Sequence, residues 1–183
     1  MNLVADLSDE KIMLMVKDGY LSELTALFER YHVRLYNFFL RLTGDRETSE
    51  DLTQNLFYRI IKYRHTYNSA EGSFKSWTYQ LARNVHYDHY KQEKKKNEQF
   101  KSVDHNHSNM AGVEEIYSEG DFDRLNRAMM QLKPEQREII VLSRFEGLKY
   151  EEISQMMDVS VASIKVQMHR AIKSLRILYF NQQ

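Results

Sequence analysis

Cysteine is absent from this chain of 183 residues, and proline occurs only once. Without a thiol the chain holds no disulfide, no thiolate zinc site and no cysteine redox sensor. One Pro and six Gly leave few interruptions in the backbone pattern, which suits long helices. Period-two runs of Val, Ile and Thr are missing as well, so no sheet is expected. Lys plus Arg and Asp plus Glu number 26 each, a formal net charge of zero. Binding to nucleic acid would therefore rest on segregated charge rather than on net charge. No segment approaches the roughly 20 apolar residues that span a bilayer. The opening MNLVADLSDEKIM carries no signal-peptide pattern either. The expectation is a soluble, cytoplasmic protein with no direct membrane insertion.

What is present is helical patterning over an apolar fraction of 42%, enough for one large or two small cores. The most informative stretch is KYEEISQMMDVSVASIKVQMHRAIKSL, Lys149 to Leu175. It reads as a short helix, a tight turn and a longer helix, the form of a DNA-reading unit. Tyr150, Ile153, Met156 and Met157 fall at helical spacing in the first piece. Asp158 and Ser160 bracket Val159 as the turn, and Ser160 can cap the helix that follows. In that helix Ile164, Met168, Ala171, Ile172 and Leu175 form one stripe. Lys165, Val166, His169, Arg170 and Lys173 point away from it. From Val159 to Leu178 there is no Asp or Glu. A charge run on a helix is commonly just a solvated face, but ordinary surface helices carry both signs. A one-sign helix after a capped turn fits the major groove better. There cations meet phosphates, Lys165, His169 or Arg170 reach base edges, and Val166 can touch a thymine methyl.

The rest of the chain follows in order. Ser8 or Asp9 caps a first helix through Val16, which Asp18-Gly19 breaks. A second helix runs from Ser22 to Thr43, with Leu24, Leu27, Phe28, Tyr31, Leu35, Phe38, Phe39 and Leu42 inward. Thr48 or Ser49 starts a third, with Leu52, Leu56, Phe57, Ile60 and Ile61 inward. Its other side shows an acidic and amide surface of Glu50, Asp51, Gln54 and Asn55. YNSAEGS, Tyr67 to Ser73, is a loop, and Phe74 to Lys96 is a fourth helix with Trp77, Leu81 and Val85 inward. Around it Tyr67, Phe74, Trp77, Tyr79, Tyr87 and Tyr90 interleave with Lys75, Arg83 and Lys91. Basic grooves with stacking rings hold unpaired bases, although Phe74 and Trp77 at helical spacing equally suit a core.

Asn97 to Asp121 is polar and weakly periodic, a flexible linker with one short turn near Val113 to Tyr117. His105 and His107 raise a metal site, but they lack a thiol partner and a firm third ligand. No metal or cofactor is expected. A helix over Phe122 to Leu132 and the helix PEQREIIVLSRFE, with Pro134 in its first turn, then lead into the helix-turn-helix. In that second helix Ile139, Ile140, Leu142 and Phe145 face a small core. The fold class is all-α, two small helical domains over residues 1–97 and 122–183, joined by the linker 98–121.

Three segments in this order resemble the RNA polymerase sigma factors of the extracytoplasmic-function (ECF) type, which have only regions 2 and 4. YHVRLYNFFLRLTGDRETSEDLTQNLFYRI resembles the first part of region 2. FKSWTYQLARNVHYDHYKQEKKK resembles its promoter-melting, −10-reading part. LKPEQREIIVLSRFEGLKYEEISQMMDVSVASIKVQMHRAIKSL resembles region 4, which reads the −35 element. The resemblance implies a non-enzymatic initiation factor that partners bacterial core RNA polymerase and promoter DNA. It also implies control by an anti-sigma factor, membrane-anchored in some members. Glu50, Asp51, Gln54 and Asn55 would grip the polymerase, although the family usually has Ala at Ser49 and Glu near Asn55. Tyr67, Asn68, Lys75, Trp77, Arg83, Asn84 and Lys91 would serve the −10 element, with the loop capturing a flipped base. Unstacking a base costs a few kcal/mol, which a fitted pocket must return. Ser160, Ser163, Lys165, Val166, Gln167, His169, Arg170 and Lys173 would serve the −35 element. The family often has Gly at Asp158 and Arg at Gln167; losing that Arg removes a phosphate contact.

Promoter elements two helical turns apart lie roughly 70 Å from each other. An extended linker of this length covers on the order of 80 Å, whereas as a free coil it averages roughly 25–30 Å. Two other readings stay open. One is a DNA-binding regulator that never joins polymerase, with a pocket or self-complementary surface in place of the exposed Asp51/Gln54 face. The other is a metal-dependent nuclease using His105 and His107.

Overall fold

The computed structural model describes residues 7–100 and 121–181, and all regular structure among them is helical. Eight α-helices follow in order: α1 (Asp9–Lys17), α2 (Leu24–Thr43), α3 (Arg46–Tyr63), α4 (Phe74–Phe100), α5 (Asp121–Met130), α6 (Pro134–Ile140), α7 (Tyr150–Met157) and α8 (Val161–Phe180). Short 3-10 turns at Leu21–Glu23 and Arg64–Thr66 precede α2 and follow α3. The described residues pack as two compact units. The first takes the chain up to Tyr36 and from Glu50 through α4. The second takes Asn37–Ser49 together with α5 to α8. By packing, the end of α2 and the start of α3 group with the second unit.

Helix α1 starts as its sequence dictates: the Ser8 hydroxyl accepts from Lys11 N at 3.4 Å, and Gly19, at φ 106°, lies just beyond the C-cap Asp18. Its Ile12, Met13 and Val16 are fully buried. Helix α3 begins at Arg46, earlier than Thr48, because the Asp45 carboxylate accepts from Thr48 N at 2.7 Å and caps the first turn. Ser49 is buried, and its hydroxyl bonds the Asp45 carbonyl and the Thr43 hydroxyl. A serine is therefore accommodated there without an orphaned polar group. Leu52, Leu56, Phe57 and Ile60 of α3 meet the core of the first unit, as do Phe74, Tyr79, Ala82 and Val85 of α4. Trp77 and Leu81, expected inward, are only half-buried. Helix α4 continues to Phe100, beyond the end expected near Lys96. The linker turn at Val113 to Tyr117 and the imidazoles His105 and His107 lie outside the described residues.

In the second unit, Pro134 opens α6, where its missing N–H costs nothing. The helix then widens into a π-turn over Val141–Phe145, with Glu146 N donating to Val141 O at 3.0 Å. The wider turn rotates the register, so Ile139, Ile140, Val141 and Leu142 are all buried and Phe145 is only half-buried. Gly147, at φ 68°, ends it.

Arg137 is the buried cation of this unit. Its guanidinium donates to Met129 O (3.0 Å), Met130 O (2.7 Å), Leu132 O (3.3 Å) and Leu42 O (2.5 Å). Three of these carbonyls lie at and just beyond the end of α5, where only Met129 O has a backbone donor as well, Leu132 N at 3.1 Å. Burial lowers the Arg137 pKa, and the hydrogen bonds offset that desolvation. Arg137→Met is expected to destabilise the unit by on the order of 3 kcal/mol, through lost charged hydrogen bonds and orphaned carbonyls. Thermal unfolding followed by circular dichroism checks this. Arg137→Lys should recover little, since one ammonium cannot replace a planar fork.

Candidate functional site

The acidic and amide face of α3 is formed as expected. Glu50, Asp51, Gln54 and Asn55 are all exposed, with Asn55 Oδ1 accepting from Arg59 Nε at 3.1 Å. Arg59 also pairs with Asp88 at 2.8 Å, tying α3 to α4. Beside this face runs an open groove of about 750 Å³ lined by Phe28, His32, Val33, Tyr36, Glu50, Thr53, Gln54 and Phe57. Phe28, expected inward, is 45% exposed. It stacks on His32 with ring centroids 4.8 Å apart and leans on Phe57 at 4.8 Å. The α2 stripe was too wide for one buried face, and that excess width was the available signal.

The loop after α3 is a built turn. Asn68 Oδ1 accepts from Ala70 N at 3.1 Å, and Asn68 Nδ2 donates to Glu71 Oε1 at 2.7 Å. Ser73 ends the loop and caps α4, its hydroxyl accepting from Ser76 N at 3.1 Å. Asn68 through Gly72 are exposed. Tyr67 is not a surface residue: its ring is fully buried against Trp77 (5.4 Å) and Phe74 (6.3 Å). Desolvation pushes its phenol up to about 12, with Glu10 and Asp9 adding to the rise, so it stays neutral. A ring packed there cannot stack on a base, which corrects the expectation for Tyr67. Trp77, Lys75 and Arg83 are half-buried, while Asn84 and Lys91 are exposed along α4.

Helix α8 presents the cationic face. Ser160 N-caps it, accepting from Ser163 N at 3.2 Å, and Gln167 Nε2 donates to Ser163 Oγ at 2.9 Å. Ile164, Met168 and Ala171 are buried, whereas Ile172, expected in that stripe, is exposed. Lys165, Val166, His169, Arg170 and Lys173 all face outward. The turn before it is held by Asp158 in the left-handed region at φ 53° and by Ser154 Oγ donating to Val159 O at 2.6 Å. Asp bears that conformation better than most residues. The connection is thus as tight as a helix-turn-helix requires.

A model of sigma-70 region 2 matches residues 27–96, and a model of sigma-70 region 4 matches residues 122–175. The chain belongs to the sigma-70 family of RNA polymerase sigma factors, within its ECF group. Sigma factors of this family are non-catalytic factors of transcription initiation. The ECF sigma factor SigE of Mycolicibacterium smegmatis is 29% identical over 153 residues, covering 82% of this chain and 59% of that protein. The chain thus spans less than two thirds of that relative. SigM of Bacillus subtilis is 27% identical over 164 residues, covering 85% of this chain and 94% of SigM. Among solved structures, the sigma factor RpoE of Bartonella quintana, in complex with the anti-sigma factor NepR, matches with a TM-score of 0.72. It is 20% identical, covering 85% of this chain and 96% of that one. CnrH, in complex with the cytosolic domain of CnrY, matches at 0.70 with 19% identity, covering 96% and 99%. At such identity these two likenesses speak for the fold.

Proposed function

We propose that this sigma factor binds core RNA polymerase through the α3 face, directs it to promoters by reading −35 and −10 elements, and helps open the DNA. The observation that carries this is one chain holding two opposite surfaces. The α3 face is acidic and amide, with an apolar groove beside it. The α8 face has cations and no acid. An acidic face repels DNA and suits a protein partner, while an exposed one-sign cationic helix suits phosphates.

The α3 contact would be Glu50, Asp51, Gln54 and Asn55, with Phe28 and Val33 as apolar support. At the −10 element the exposed loop around Asn68 would receive an unstacked base, with Lys75, Trp77, Arg83, Asn84 and Lys91 along the strand path. Tyr67 would shape that loop from beneath. At the −35 element Ser160, Ser163, Lys165, Val166, Gln167, His169, Arg170 and Lys173 would face the groove. The protein would work in the cytoplasm; no helix among the described residues is long and apolar enough to cross a membrane. Control by an anti-sigma factor is supported by the solved relative RpoE, which was captured with the anti-sigma factor NepR.

Run-off transcription tests the core of this reading. Purified core RNA polymerase plus this protein should yield discrete transcripts from a genomic fragment library, whereas core alone should not. Absence of any such product, with no anti-sigma factor in the mixture, would move the weight to a free-standing regulator. Pull-down from the native host tests the controller: failure to retain an anti-sigma partner under any condition counts against it.

A further inference from the structure

Helix α1 lies outside the matched part of region 2, which begins at residue 27, yet both of its ends are bonded to the stems of the exposed loop. Lys17 Nζ donates to Tyr67 O at 2.6 Å, at the residue where the loop begins. Glu10 Oε1 accepts from Phe74 N at 3.3 Å, at the residue where α4 takes over. Seven residues separate Glu10 from Lys17, two helical turns, so both project from one face about 10 Å apart. The Phe74 amide is an orphan donor of the first turn of α4, and Ser73 Oγ already serves Ser76 N. Glu10 thus completes, from a distant helix, the cap that closes the loop.

The clamp is itself anchored. Asp9 accepts from Arg30 and from the Tyr31 hydroxyl, each at 2.5 Å, and Arg30 also donates to Leu7 O at 3.0 Å. Tyr31 packs edge-on against Phe74 at 5.3 Å, and Tyr67 packs edge-on against the same ring. Ile12, Met13 and Val16 bury the other side of α1. The loop therefore springs from two fixed points, and its exposed residues Asn68 to Gly72 close on themselves between them. A pocket that captures a base must be set to within about half an ångström to be selective. A short surface turn holds that geometry only if its stems are fixed.

We infer that α1 is a clamp on the −10 loop, with Lys17 and Glu10 as positioning residues for base capture and hence for −10 specificity and melting. This rests on the loop reading given above. Neither residue need touch DNA.

The test uses holoenzyme reconstituted with core RNA polymerase on the promoter giving the strongest wild-type run-off product. Lys17→Met keeps the aliphatic stem and removes the donor; Glu10→Ala removes the acceptor. Lys17→Arg and Glu10→Gln restore donor and acceptor. Asn68→Ala alters the loop directly. Three quantities are read: core affinity, 2-aminopurine fluorescence in the −10 non-template strand, and relative transcription from templates substituted at each −10 base. Lys17→Met and Glu10→Ala should each lower opening at least tenfold and flatten the −10 base preference. Core affinity should stay within twofold, opening on a pre-melted template should recover, and the conservative variants should return both properties. If Asn68→Ala loses base preference while both clamp variants keep it, the clamp is wrong and the loop reading stands. If Asn68→Ala also keeps wild-type preference, the loop reading fails and the clamp with it. Should Lys17→Met lose core affinity through misfolding, Lys17→Leu, which likewise carries no donor, is read in its place, and wild-type base preference in that variant overturns the clamp equally.

Discussion

Asp51→Ala combined with Gln54→Ala is expected to lower affinity for core RNA polymerase about tenfold to thirtyfold, and Asp51→Lys about a hundredfold, without changing thermal stability. The separation of the two effects follows from burial. Both side chains are exposed on α3, so truncation opens no cavity, and Ala is the best helix former available. Whatever is lost in binding is therefore lost at the interface. Two truncated polar contacts account for roughly 1.4–2 kcal/mol, and placing a cation against a partner surface selected for an anion costs more. Size-exclusion co-elution with core polymerase, followed by titration, measures it. Phe28→Ala should add to the loss if the groove is part of the same surface, since Phe28 is large and only half covered. Retention of full affinity in Asp51→Lys would remove α3 from the interface and favour a regulator that acts without polymerase.

The sequence was most informative where local chemistry decides structure. Ser8, Pro134, Gly147, Asp158 and Ser160 sit at the helix starts, stops and turn expected of them, because caps and left-handed positions depend on a few adjacent atoms. The outward face of α8 was legible for a similar reason: an acid-free cationic stripe is visible on a helical wheel. Errors arose where tertiary packing decides. Tyr67 among lysines looks the same whether it stacks on a base or fills a core, and only its contacts with Phe74 and Trp77 settle which. Phe28 and Ile172 satisfied helical periodicity and nevertheless lie at exposed edges. The π-turn at Val141–Phe145 shifted a register that a uniform period of 3.6 could not anticipate. The bonds from Glu10 to Phe74 and from Lys17 to Tyr67 span 64 and 50 residues. No local pattern announces such pairs.

The second large effect concerns α8. Replacing Lys165 and Arg170 together by Ala should reduce transcription from promoters with a −35 element about a hundredfold at physiological salt, while core affinity is unchanged. Both side chains are exposed, and the buried face of the helix, Ile164, Met168 and Ala171, is left intact, so the fold is not the cause of the loss. A base-edge pair carries roughly 1–3 kcal/mol, whereas a phosphate contact carries a salt-dependent share. Salt dependence therefore sorts the two roles. A cation that only meets phosphate weakens every promoter alike, and its removal lowers the slope of log affinity against log salt by about one. A cation that reads a base edge loses discrimination at one −35 position when removed. Lys173→Ala, one turn further along α8, should behave purely as the first kind. Val166→Ala should change preference at a single thymine and leave the salt slope alone, because a methyl contact releases no counterion. Zero net charge over the whole chain sharpens the expectation. With no general attraction to DNA, the isolated protein should bind duplex promoters weakly at physiological salt and gain its affinity inside the holoenzyme. Tight, specific binding by the isolated protein under those conditions would show that α8 reads the −35 element without polymerase, and the division of labour between α3 and α8 would have to be abandoned.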